Sequence, residues 1–276
     1  MNLNIKYDVL KLNADENTAD MIISLLSEES LGSERSDSHS IIYFNQGISS
    51  LVERELNVLK KSFKINWDWE NLKSENWHLN WKENFKPIII DDRFAIVPDW
   101  YQGKIYSKMV RIKPGMAFGT GHHESTYLMI EALLNLKLDR ASVLDLGTGS
   151  GILAIAASIL GSKKVNAVDY DSECESNFNE NLKLNNLNNK INFNLYDVLN
   201  WKDYDYDYIL VNINRNIIID FLPKIKMKQG TSMFLSGILK QDYRIIENIC
   251  NKNKLKIINQ KYKGEWICLN VISSIN

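Results

Sequence analysis

The sequence predicts a two-part α/β chain, in which a doubly wound, mostly parallel sheet ending in an antiparallel hairpin follows a small N-terminal α+β unit. Three observations carry this. From residue 141 onward, short apolar runs alternate with helical stretches, the pattern of a parallel sheet covered on both faces. The first of those runs leads into a glycine-rich turn, Asp145-Leu-Gly147-Thr-Gly149-Ser-Gly151. Residues 1–66 show a separate set of short strand and helix patterns, divided from the rest by a polar, tryptophan-containing stretch.

Residues 4 to 12 alternate through Ile5, Tyr7 and Val9 as a half-buried strand, and Ala19, Ile22, Ile23 and Leu26 follow at helical spacing. Ser40 to Phe44 is a second strand, Val52, Leu56 and Leu59 mark a second helix, and Ser62 to Trp67 alternates as a further strand. The α+β unit, 1–66, is expected to end there. Between 67 and 82, Trp67, Trp69, Trp77 and Trp81 stand among Asp, Glu, Asn and Lys without a sustained period. This reads as a linker whose indoles dock on a domain face, with substrate contact as the alternative. The remaining unit, 83–276, begins its alternation with Ser142–Leu146, Lys164–Val168, Lys190–Leu195, Tyr208–Asn212 and Thr231–Leu235 as strands, and 152–161, 172–186, 215–226 and 239–251 as helices. Lys254–Tyr262 and Glu265–Ile272 then form a hairpin around Lys263-Gly264. Five strands and a hairpin make a seven-stranded sheet.

Composition excludes several classes of function. The chain is 45 % hydrophobic and 24 % charged, ordinary for a globular protein with a sizeable core, and its 33 Lys and Arg balance 34 Asp and Glu. No overall charge favours nucleic acid or anionic membrane. No apolar run reaches membrane-spanning length and no secretory leader pattern opens the chain, so a cytoplasmic, monomeric protein is expected. Cys174, Cys250 and Cys268 are odd in number and widely spaced, which argues against disulfides and zinc; His122 and His123 are adjacent rather than spaced as metal ligands. No metal is expected.

The chemistry concentrates at the carboxyl ends of the strands. A dinucleotide fingerprint would place its third glycine at position 152, which is Ile152. Asp169, 18 residues after Gly151, ends the second strand, where a carboxylate can accept hydrogen bonds from both ribose hydroxyls of an adenosine. Asp197 follows the third strand, placed toward an adenine edge, and Asn212 ends the fourth. Because ligands in such sheets bind outside the carboxyl ends of the strands, Gly147, Gly149, Asp169, Asp197 and Asn212 are expected to share one crevice. A nicotinamide-dependent oxidoreductase is the distant alternative, weakened by Ile152.

The glycine loop led by Asp145 resembles the first motif of class I (Rossmann-like) methyltransferases that use S-adenosylmethionine, where Asp145 would orient the loop and the ligand's amino group. Further motifs narrow the resemblance: Lys113-Pro-Gly-Met-Ala-Phe-Gly-Thr-Gly-His122-His-Glu-Ser-Thr126, Asn212-Ile-Asn214-Arg-Asn, Leu235-Ser-Gly-Ile-Leu239, Glu265-Trp-Ile-Cys268, Trp81-Lys-Glu-Asn-Phe-Lys-Pro87 and Val97-Pro-Asp-Trp100. Together, over about residues 77–272, they resemble the PrmA family, bacterial methyltransferases of ribosomal protein L-eleven (L11). The resemblance implies a ferredoxin-like N-terminal unit that grips the protein substrate and cofactor contacts from Thr126, Gly147, Asp169 and Asn212. It also implies methylation of lysine side chains and the N-terminal amine of L11. A related methyltransferase acting on another protein lysine or on RNA is the nearer alternative. Asn212 is the candidate for orienting the amine. The Phe118–His122 loop is expected to close over the cofactor, with His122 or His123 relaying a proton or merely bonding nearby backbone. The family pattern commonly has Pro and Thr where this chain has Glu124 and Ser125, a departure that bears on the helix start there.

Overall fold

The computed structural model describes residues 6–26, 30–35, 39–73, 87–90, 92–113 and 124–274. The chain divides into two compact units, Met1–Lys86 and Pro87–Asn276.

The first unit runs β1 (Lys6–Asn13), α1 (Glu16–Leu25), β2 (Ser30–Arg35), β3 (Ser40–Asn45), α2 (Ser49–Leu59) and β4 (Asn66–Lys73), with sheet order β2-β3-β1-β4 and every pairing antiparallel. This βαββαβ order is the ferredoxin-like arrangement. Ala19, Ile22 and Leu26 from the α1 segment, Val52 and Leu56 from α2, and Leu10, Leu12, Ile42 and Phe44 from the strands fill one core. Two expectations need correction. The strand expected at 62–67 starts only at Asn66, after a turn. The supposed linker from 67 begins as that strand, paired with β1 through Trp67↔Leu12 and Trp69↔Leu10. Trp67 and Trp69 are half-buried against the core, and both indoles donate to Glu53 Oε2, at 3.1 and 2.5 Å. Trp77 and Trp81 lie outside the described residues.

Helix α2 begins without a side-chain cap of its own; buried Asp8 of β1 supplies one in trans, its Oδ2 accepting from Gly47 N–H at 2.9 Å and Ser49 N–H at 3.1 Å. Loss of a cap costs about 1–2 kcal/mol. Asp8→Ala should therefore destabilise this unit by about that amount in urea titration, and Asp8→Asn, which keeps an acceptor, by much less; equal losses would show that the capping bonds are not what stabilises α2.

The second unit opens with a small sheet that the sequence did not suggest: β5 (Ile88–Ile90), β6 (Phe94–Pro98) and β7 (Lys108–Ile112), ordered β5-β6-β7, antiparallel then parallel. Helix α3 (Glu124–Leu133) follows; with Glu124 and Ser125 in place of the usual Pro and Thr, the helix includes both. The large sheet is β8 (Ser142–Leu146), β9 (Lys164–Asp169), β10 (Ile191–Leu195), β11 (Tyr208–Asn212), β12 (Ser232–Leu239), β13 (Leu255–Lys263) and β14 (Trp266–Ser273), in spatial order β10-β9-β8-β11-β12-β14-β13. Its first five members pair in parallel and the terminal hairpin is antiparallel, as expected. Helices α4 (Ile152–Ile159), α5 (Ser172–Leu184), α6 (Arg215–Phe221) and α7 (Tyr243–Lys252) connect or follow the strands. Helix α6 is shorter than expected because Pro223 has no N–H to continue the helical hydrogen-bond ladder, which ends with Leu222 N–H on the Ile218 carbonyl. Helix α7 starts at Tyr243, since β12 extends to Leu239 and a 3-10 turn occupies 240–242.

Alternate strand residues feed two cores, one on each face. Val143, Val165, Leu210 and Phe234 pack with α3, α4 and α5, and Leu144, Val168, Ile209, Val211 and Leu235 with α6 and α7. Cys174, Cys250 and Cys268 are buried and unpaired, and burial pushes their thiols up to about 12, 11 and 12, so they behave as small apolar side chains. The strand order reverses at β8, with β9 on one side and β11 on the other. A crevice therefore opens beyond the carboxyl ends of these strands.

Candidate functional site

Asp145, in β8 beside Leu210 of β11 and Ala167 of β9, is completely buried. Its Oδ2 accepts from Thr148 Oγ1 at 2.6 Å and from Ala154 N–H at 3.1 Å, tying the strand to the glycine loop and the first turn of α4. Its Oδ1 is buried with no hydrogen-bond partner among the described residues. Burial pushes the carboxyl up to about 7 despite the two bonds that lower it.

The loop that follows is built on left-handed glycines, Gly147, Gly149 and Gly151 at φ +72°, +52° and +82°. A Cβ on Gly151 would lie 2.5 Å from the Phe178 ring. The close helix packing thus falls at Gly151, which explains how Ile152 can stand where a dinucleotide loop has glycine. Asp169 ends β9 nearly buried and braces the loop, Oδ2 accepting from Gly149 N–H at 2.8 Å and Oδ1 from Asp171 N–H at 3.1 Å.

On the other side of β8, Asn212 ends β11 one residue past the Val211↔Leu146 pair. Its Nδ2 donates to Thr126 Oγ1, fully buried in α3, at 3.3 Å, and its Oδ1 is buried without a partner among the described residues. Next to it, Ser236 of β12 donates to the carbonyls of Ile267 at 3.0 Å and Ser125 at 3.4 Å, holding the start of α3 against the sheet. Asp145 and Asn212, at the ends of neighbouring strands, thus each present a buried acceptor with no donor among the described residues. A ligand carrying N–H donors fits such a pair, since an unmet buried acceptor costs about 1–3 kcal/mol.

A family comparison decides the identity. The profile described as "Ribosomal protein L11 methyltransferase (PrmA)" matches residues 9–273. The chain belongs to the ribosomal protein L11 methyltransferase (PrmA) family. The Prochlorococcus marinus (strain AS9601) member is 33 % identical over 236 residues, 81 % of this chain and 77 % of that one. The Ruminiclostridium cellulolyticum member is 31 % identical over 276 residues, covering 96 % and 86 %. The crystal structure of ribosomal protein L11 methylase from Lactobacillus delbrueckii subsp. bulgaricus superposes with a TM-score of 0.63 at 32 % identity, covering 68 % of this chain and 99 % of that chain. This PrmA-family methyltransferase therefore has the class I sheet expected from its sequence.

Of the residues singled out in the sequence, the structure gathers Asp145, Gly147, Gly149 and Asp169 on one side of β8 and Thr126 and Asn212 on the other. Asp197 is exposed; its oxygens cap a 3-10 turn, accepting from Leu199 N–H at 2.8 Å and Asn200 Nδ2 at 2.9 Å. Its neighbour Tyr196 donates its N–H to the Asp169 carbonyl at 2.7 Å, which keeps this turn beside the Asp169 end of the crevice. His122 and the Phe118–Gly121 stretch lie outside the described residues. Asn214, quoted for its motif, caps α6 by accepting from Asn216 N–H at 2.9 Å. Ser236 was quoted only inside the Leu235–Leu239 motif, without a role, and Asn181 was missed, because a serine inside a strand and an asparagine inside a helix carry no period that marks them.

Proposed function

We propose that this chain transfers methyl groups from S-adenosylmethionine to amines of ribosomal protein L11, lysine side chains and the N-terminal amine among them, in the cytoplasm. The observation that carries the reading is the pair of buried acceptors without donors among the described residues, Asp145 Oδ1 and Asn212 Oδ1, beside a loop of left-handed glycines. When bound, S-adenosylmethionine supplies a sulfonium-activated methyl group. Asp145 would take the ligand's ammonium, Asp169 its ribose hydroxyls, and Thr126 would lock the Asn212 amide so that Oδ1 points to the incoming amine. Amine alignment and desolvation are then the protein's main contributions. A lysine near pKa 10.4 must lose its proton first, and a poorly solvated pocket lowers that value. His122 is the proposed relay for the proton. The N-terminal ferredoxin-like unit is proposed to hold the substrate protein.

Incubation with labelled S-adenosylmethionine and purified L11 should place label on protein, released by protease and not by RNase. Bound cofactor with no transfer to L11 would end the substrate assignment, and label released by RNase would redirect it to RNA.

A further inference from the structure

We propose that Asn181 is the positioning residue of the glycine loop, an inference that rests on reading that loop as a cofactor cradle. Asn181, on α5, is 0 % exposed. Its Nδ2 donates to the Ser150 carbonyl at 2.8 Å, and its Oδ1 accepts from the Lys113 N–H at 2.8 Å. The Ser150–Gly151 peptide is thereby held at both ends, because the Gly151 N–H of the same unit donates to the Thr148 carbonyl at 2.9 Å. Asp169 holds the preceding Gly149 N–H. Phe178, three residues before Asn181 on the same helix face, packs where a Gly151 side chain would stand. Three glycines in left-handed backbone have little intrinsic stiffness, so the loop's shape comes from these outside holds.

The stripe continues along α5. Asn177 Nδ2 donates to the Lys113 carbonyl at 3.3 Å; Asn185 accepts from the Arg111 N–H at 2.8 Å and donates to the Arg111 carbonyl at 2.6 Å. A side-chain amide offers the same donor and acceptor as a peptide. The three asparagines therefore stand in for a neighbouring strand along the outer edge of β7. Asn181 differs from the other two because its second bond reaches the loop, joining Ser150 to the end of β7. It needs no contact with a ligand to set where Gly149 and Ser150 lie.

Asn181→Asp keeps the size and the acceptor toward Lys113 but turns an oxygen on the Ser150 carbonyl. S-adenosylhomocysteine binding by calorimetry should weaken about tenfold, the scale of one lost hydrogen bond. KM for S-adenosylmethionine should rise in proportion while kcat at saturation stays within about twofold. Amide exchange at Gly149–Gly151 in the protein without cofactor should accelerate. Asn185→Ala removes ties to β7 but not the loop hold, and should lower the melting temperature while leaving affinity within about twofold. Should the buried charge prevent folding, Asn181→Ala carries the same test, with an affinity loss of about fivefold. A folded Asn181 variant with wild-type affinity, or an Asn185→Ala variant that weakens binding equally, would overturn the positioning role. Wild-type protein that binds no S-adenosylhomocysteine would instead overturn the cofactor reading beneath it.

Discussion

Gly237→Ala is expected to cost about 3 kcal/mol of folding stability and to slow methyl transfer by the folded fraction about a hundredfold. Gly237 sits at φ +80° where the pairing of β12 with β14 shifts register between Leu235 and Ile238. A Cβ there would lie 2.2 Å from the Ile213 carbonyl oxygen and about as close as 3.0 and 3.1 Å to its carbonyl carbon and nitrogen. These are backbone atoms, so no rotamer change relieves the clash. The segment that must retreat adjoins Asn212, whose Nδ2 bond to Thr126 is already long at 3.3 Å. A displacement of about 1 Å at a positioning group can cost a hundredfold in rate. Gly147→Ala is a useful contrast: its Cβ would meet Ile213 Cγ2 at 2.0 Å, a side-chain atom that can turn aside, although φ +72° still carries strain. Urea midpoints and turnover at saturating substrates would measure both; a Gly237→Ala protein with wild-type midpoint and turnover would show that the approach of β12 to Ile213 is unimportant.

What the sequence made legible follows from the physics of each element. Strands buried on both faces read as apolar runs, so β8, β9 and β11 were visible within a residue or two, and the left-handed glycines announced their turn. Strand β4 does alternate, Trp67 and Trp69 inward against Asp68 and Glu70, but the inner residues are indoles whose N–H groups need Glu53, a partner on α2 that no local pattern reveals. Strands β5 to β7 are three to five residues long, and β6 is buried at every position before ending in Pro98, so neither period nor length distinguishes it. In the site, Asp145, Asp169 and Asn212 could be placed because each falls at or near a strand end. The long-range bonds around them, from Asn212 to Thr126, from Ser236 to Ile267 and Ser125, and from Asn181 to Ser150, cross 86, 31, 111 and 31 residues of chain; only the fold brings those groups together. Thr126 was named through family resemblance, and its physical role, restraining the Asn212 amide, became visible only with the contact.

The affinity of this protein for S-adenosylhomocysteine should rise about tenfold from pH 6 to pH 8, with about half a proton released on binding at pH 7. The cause is Asp145, whose carboxyl is pushed from 3.8 to about 7 chiefly by burial, with a smaller contribution from Asp169 in the same direction. Thr148 and Ala154 already occupy Oδ2, so a ligand ammonium would meet Oδ1, and the charged carboxylate is the form that attracts it. Without ligand the same group works against the fold. Its folded value lies above its unfolded one, so the folded chain keeps a proton that the unfolded chain loses between about pH 4 and 7. The stability this brings is full below about pH 4 and is lost as pH rises through about 7, by ~4 kcal/mol at most. Ligand binding offsets that cost at neutral pH, so the stabilisation by cofactor should grow with pH. Asp145→Asn removes both effects: apo stability should become flatter with pH, and binding should weaken about a hundredfold and lose its pH dependence. Calorimetry in buffers of different ionisation enthalpy would read the proton directly. Proton release that persists in Asp145→Asn would place the titrating group elsewhere, and the buried oxygen of Asp145 would then need another explanation.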